Sequence, residues 1–119
     1  MSTVNCQLLT GFLLFEFLKN KNMKAIFIVF NQALTENVLQ MLERNNIRGF
    51  TQWDDVKGRG SFKGEPHMGT HTWPALNSVV MTIVELVDME KVLNGVKKIN
   101  EAAEKQGIRA FVWDVENAV

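Results

Sequence analysis

Two stretches of the chain are apolar without a break and without alternation, KAIFIVF (24–30) and NSVVMTIVELV (77–87). A strand with one wet face alternates apolar and polar side chains, so an unbroken run marks a strand covered on both faces. After the first run, LTENVLQMLERNN (34–46) carries Leu34, Val38, Met41 and Leu42 at i, i+4, i+7 and i+8, one stripe of a helix. Thr35 is a candidate N-cap, and Asn45 and Asn46 close the helix. IRGFTQWDDVKG (47–58) reads as a second strand, with Phe50, Trp53 and Val56 as its larger apolar residues. After the second run, Met89, Val92, Leu93, Val96, Ile99 and Ala103 recur at helical spacing, with Asp88 as the expected N-cap and Gly107 as the expected C-terminal cap. IRAFVWDV (108–115) is the last strand.

The order β-α-β, long loop, β-α-β predicts an α+β fold, a ferredoxin-like βαββαβ sandwich with the long loop between its second and third strands. In that topology the first and third strands are central, and those are the two unbroken apolar runs. Helices cover one face of such a sheet. The other face needs a cover too, because Ala25, Phe27 and Val29 are as apolar as Ile26, Ile28 and Phe30. The simplest cover is another copy of the chain.

Composition narrows the function. The 119 residues suit one domain, and 46% hydrophobic content suits a globular core rather than a membrane protein. Thirteen basic residues balance thirteen acidic ones, which argues against a nucleic-acid partner. The single Cys6 excludes an internal disulfide and fits a reducing, cytoplasmic setting. The run GFLLFEFL (11–18) is too short for a spanning helix and has no basic residue before it, so it does not read as a signal. Residues 1–22 therefore form an extension to a domain over 23–119. Either the extension is an arm whose Leu8, Leu9, Phe12, Leu13 and Phe15 pack on the domain or a neighbour, or the native start is Met23.

Residues 57–74, KGRGSFKGEPHMGTHTWP, hold four of the eight glycines and both prolines and both histidines. A loop of this length within a compact domain usually has a use. Gly58, Gly60 and Gly64 with Lys57, Arg59 and Lys63 can present backbone N–H groups and cations to a phosphate, although P-loop spacing is absent. His67 and His71, with Glu65 and Met68, are candidate ligands for a transition metal, Met68 biasing the set toward Cu(I). The plainer alternative is that both histidines fold the loop by ordinary hydrogen bonds. Trp73 at the loop exit, with Met68, is a candidate partner-binding anchor. Trp53 and Trp113 fall on the expected edge strands as packing or subunit contacts. An enzyme is not indicated: Cys6 has no histidine near it, and Asp54 and Asp55 should point to opposite faces of their strand.

The passage I-R-G-F-T (47–51) followed by V-K-G-R-G-S-F-K-G (56–64) resembles the PII signal-transduction superfamily, as do Met23-Lys24 before the first strand and Pro74 before the third. The resemblance implies a homotrimer with inward-facing sheets and adenine nucleotides bound between subunits near the loop base. Gly49, Thr51, Lys57 and Gly58 are the matching positions. It implies that loop 57–74 controls a protein target such as a membrane transporter. Related small trimers are associated with metal tolerance or metal efflux, which is the context for the His67/His71 alternative. The chain also departs from the family. Ser61-Phe62 replaces an arginine–glutamine pair that reads ATP, Mg²⁺ and 2-oxoglutarate. EKQG (104–107) replaces a T-G-x-x-G-D-G-K phosphate loop, the tail lacks arginines, and there is no tyrosine to modify.

Overall fold

The computed structural model of the chain describes residues 22–59 and 64–119. The packing arm expected within residues 1–22 lies, but for its last residue, outside the described residues. The elements run β1 (Met23–Asn31), α1 (Thr35–Arg44), β2 (Thr51–Val56), β3 (Asn77–Glu85), α2 (Leu86–Ala102) and β4 (Ile108–Asp114), with a 3₁₀ turn at Gln32–Leu34. The four strands form one antiparallel sheet in the order β2-β3-β1-β4. This is the ferredoxin-like α+β fold. The two unbroken apolar runs are the central pair, and Trp53 and Trp113 stand on the edge strands, as the pattern requires.

One face carries the core. Ile26, Ile28 and Phe30 of β1 lie beside Thr82, Val80 and Ser78 of β3 in the strand register. On their other side lie Val112, Ala110 and Ile108 of β4. Val38, Met41 and Leu42 of α1 and Val92, Val96 and Ile99 of α2 close over this layer, nearly all of it sealed from water. The helices meet where α2 has no side chain. A Cβ on Gly95 would run into Cγ and Sδ of Met41. Alanine is about 1 kcal/mol better than glycine within a helix, while overpacking costs about 1–3 kcal/mol. Gly95→Ala is therefore expected to destabilise the domain by up to about 2 kcal/mol on balance. Chemical denaturation would show a lower midpoint at an unchanged slope.

Local details differ from the sequence reading. Residues 47–50 are irregular rather than strand. Ile47 N–H bonds the Leu42 carbonyl behind the helix end, and the Gly49 carbonyl accepts from the buried Thr82 hydroxyl at 2.6 Å. With these groups engaged elsewhere, the β2–β3 ladder begins only at Thr51 paired with Met81. Thr35 is not the N-cap but the first residue of α1, its hydroxyl donating to the Gln32 carbonyl at 2.6 Å. Asn31 caps the preceding 3₁₀ turn through Ala33 N–H. Asp88 does not cap α2, which starts two residues earlier behind Glu85. Asp88 sits in its first turn, where a carboxylate complements the helix dipole. Gly107 is not the cap of α2 either, which ends at Ala102 with Ala103 as its C-cap. Its φ of 87° turns the chain into β4, and its carbonyl accepts from Asn31 N–H.

Among the described residues nothing covers the opposite face, which is apolar. Trp53, Ile83, Phe111 and Trp113 are each close to half exposed there. Phe27 lies between them, its ring 6.2 Å from that of Trp113.

Candidate ligand-binding cleft

The loop between β2 and β3 is built in two pieces rather than as one excursion. Gly58 and His67 exchange both backbone hydrogen bonds, Gly58 N–H to His67 C=O at 2.9 Å and His67 N–H to Gly58 C=O at 2.6 Å. This bridge clips off residues 59–66. Arg59 Nε reaches the Gly64 carbonyl at 2.8 Å within that segment. The second piece is a tight turn. Gly69 N–H bonds Ala75 C=O, Thr70 N–H bonds Trp73 C=O, and Trp73 N–H returns to Thr70 Oγ1. Gly69 has φ 67°, and a Cβ there would strike Leu76, so the turn needs glycine on both counts.

The strand leading into the loop is bent. A register shift between Trp53 and Val56 marks a bulge, and Asp55 takes a left-handed φ of 58°. Gln32 Nε2 donates to Asp55 at 3.0 Å, while Asp54 accepts from Gln52 and from buried Ser78. The strict alternation expected of the two aspartates is thus broken. Each is engaged by its own donors, and they form no acid–base pair.

A cleft of about 810 Å³ opens between the loop base, the end of β1, helix α2 and the 104–107 turn. Lys57, Arg59, Lys97, Lys105 and Arg109 line it against only Glu65, Glu90 and Glu104. That excess of positive charge favours an anion. Gly58, Gly64 and His67 also line the cleft, and Val29, Phe30, Leu93 and Phe111 give it an apolar floor. Arg109 lies 5.2 Å from the centre of the Phe111 ring, so one wall offers a guanidinium beside an aromatic face.

The structure therefore gathers Lys57, Gly58, Arg59, Gly64, Glu65 and His67. Gly60 and Lys63 fall outside the described residues. Gly49 and Thr51 do not line the cleft: Gly49 is held to Thr82, and Thr51 pairs with Met81 on β3. The proposed metal set is divided. Glu65 and His67 are at the cleft, Met68 is half-buried beyond it, and His71 is exposed on the 69–75 turn beside Trp73. Among the described residues no three histidine, cysteine or acidic side chains converge as metal ligands. Sequence reasoning missed Lys97 and Arg109. Neither lies in a motif; they meet the loop only because α2 and β4 return to the same end of the sheet.

The family model for nitrogen regulatory protein P-II matches residues 23–119. No curated protein sequence matches the chain. Among solved structures, CPII, a nitrogen regulatory PII-like protein from Thiomonas intermedia K12 bound to ADP, AMP and bicarbonate, is similar with a TM-score of 0.62 at 20% identity, covering 78% of this chain and 89% of that one. A PII-like signalling protein from Thermus thermophilus aligns with a TM-score of 0.56 at 21% identity, covering 76% of this chain and 84% of that one. Arabidopsis thaliana PII bound to citrate aligns with a TM-score of 0.56 at 20% identity, covering 80% and 78%. At such identities these structures share the fold, and their ligands are their own.

Proposed function

Because this chain belongs to the nitrogen regulatory protein P-II family, we propose that it is a homotrimeric, cytoplasmic regulator that binds an adenine nucleotide in the cleft and signals through loop 57–74 to a protein target such as a membrane transporter. One observation carries the ligand reading. The loop-base residues Lys57, Gly58 and Arg59 share a single cationic cleft with Lys105 and Arg109 from the other half of the fold. An occupant neutralising both groups touches the loop and the domain body together. A ligand that binds one loop arrangement better than another shifts the loop by that difference in affinity. The solved PII-like protein bound to ADP, AMP and bicarbonate has the same fold, which supports testing nucleotides first.

The cleft differs from the family pattern in ways that shape the expectation. Ser61-Phe62 removes the usual arginine–glutamine pair, so divalent metal and 2-oxoglutarate have lost their reader. Lys97, Lys105 and Arg109 are the cations left to meet phosphates away from the loop. We expect ADP and AMP to bind by calorimetry with no requirement for Mg²⁺. Charge-assisted hydrogen bonds contribute about 1.5–3 kcal/mol, so Arg109→Ala or Lys57→Ala should weaken ADP about 10–100-fold. Wild-type protein that binds neither ADP, AMP nor ATP would overturn the nucleotide reading.

A further inference from the structure

His67 stands at a junction that the nucleotide reading does not use. Its backbone closes the loop on Gly58 in both directions. Its ring Nδ1 lies 2.5 Å from Oδ1 of Asn77, the buried first residue of β3. Gly58 allows this arrangement, since a Cβ there would come within 2.9 Å of the Asn77 amide nitrogen. With the Asn77 oxygen as acceptor, Nδ1 carries the proton, and in the neutral ring Nε2 keeps its lone pair. His67 and Asn77 both line the cleft.

The other polar side chains there are Lys57, Arg59, Lys97, Lys105 and Arg109, which donate only, three glutamates, and the amides of Asn94, Asn100 and Gln106 away from the loop base. A neutral histidine adds an acceptor that is not an anion. It can take an N–H or O–H from the occupant without repelling its negative charge. A carboxylate in the same place would accept as well but would oppose an anionic ligand.

We propose that His67 is the specificity residue that links cleft occupancy to loop closure: Nε2 accepts a hydrogen bond from an amino or hydroxyl group of the nucleotide, while Nδ1–H and the backbone hold the loop on Asn77 and Gly58. The inference rests on the nucleotide reading of the cleft. It absorbs His67 into ligand recognition and leaves His71 on the exposed turn with no part in it. Occupancy and closure then share one side chain, so binding at Nε2 favours the ring orientation that also keeps Nδ1 on Asn77.

Two substitutions separate the two nitrogens. Asparagine places an N–H close to the position of Nδ1 and nothing at Nε2. Glutamine reaches the position of Nε2 and leaves Asn77 unpartnered. ADP binding is read by calorimetry and loop closure by the rate of tryptic cleavage after Arg59. His67→Asn is expected to keep the wild-type cleavage rate without ligand and to bind ADP about 3–10-fold more weakly, the loss of one neutral hydrogen bond. At saturating ADP it should lose the protection from trypsin that wild type gains. His67→Gln should be cleaved faster without ligand and bind ADP more tightly than His67→Asn. If wild type binds ADP and His67→Asn binds it equally well with full protection, the inference is overturned while the nucleotide reading stands. If His67→Gln is cleaved at the wild-type rate, the closure role is overturned. If wild type binds no ADP, the nucleotide reading fails and takes the ligand role of His67 with it.

Discussion

Replacing Ile83 by lysine is expected to convert the proposed trimer to a monomer. Ile83 lies on β3 opposite Ala25 of β1, toward one end of the apolar sheet face, and is 47% exposed in the single chain. Trp53, Phe111 and Trp113 share that face with comparable exposure, and the Phe27 ring lies tilted against Trp113. An apolar surface of this kind on a small domain marks a protein contact, and on the proposed trimeric reading that contact is another copy. Burying a lone ammonium in that contact costs several kcal/mol for each subunit. The substitution removes nothing from the helix-side core, so the monomer should keep its fold. Light scattering should give three times the 13.5 kDa chain mass for wild type and the single chain mass for Ile83→Lys. A wild type that is monomeric at high concentration would remove the explanation for the apolar face and the trimeric reading with it. The same variant tests whether the cleft is complete in one chain: if nucleotides sit between subunits, ADP affinity falls with the trimer.

How far the sequence spoke depended on whether a feature leaves a period. The central placement of β1 and β3 was legible because burial on both faces erases alternation, and the helices were legible from their 3.6-residue stripes. The need for a cover over Ala25, Phe27 and Val29 followed from the same loss of alternation. The Gly58–His67 bridge leaves no period. It consists of two backbone hydrogen bonds and shows only as a pair of residues nine apart in a glycine-rich loop. The true start of β2 was hidden for a similar reason. Ile47 and Phe50 look like strand residues, but the Gly49 carbonyl goes to Thr82, thirty-three positions later. The site was half legible. Lys57, Gly58 and Arg59 were named because they sit in a motif, whereas Lys105 lies in the interval read only as a departure from the family. Lys97 and Arg109 become neighbours of the loop only through tertiary return of the chain, which no local pattern encodes. For His67 the structure gives the plainer of the two uses read from the sequence, a hydrogen bond that folds the loop: its partner is Asn77, ten positions on, and not the second imidazole.

Phe30→Ala is expected to cost about 3–5 kcal/mol, the range for truncating a buried phenylalanine. Phe30 is 1% exposed and ends the β1 row that packs beneath the helices, with Ser78 on one side and Ile108 on the other. A domain of this size commonly has about 5–15 kcal/mol of stability in all, so the loss is a large fraction of the whole. The neighbouring Ser78 is held by Asp54 and cannot move to fill the space. The floor of the cleft would change too, since Phe30 lines it. Phe27→Ala is the informative control, three residues earlier on the same strand but on the other face. In the isolated subunit Phe27 is only partly buried, so its truncation should cost less there and show mainly as weaker assembly. Urea denaturation at several protein concentrations separates the two. The Phe30→Ala midpoint should drop throughout the series at an unchanged slope. The Phe27→Ala deficit should grow on dilution, because the stability a trimer adds depends on protomer concentration. Equal deficits that ignore concentration would mean that the Phe27 face is not the one on which the subunits meet.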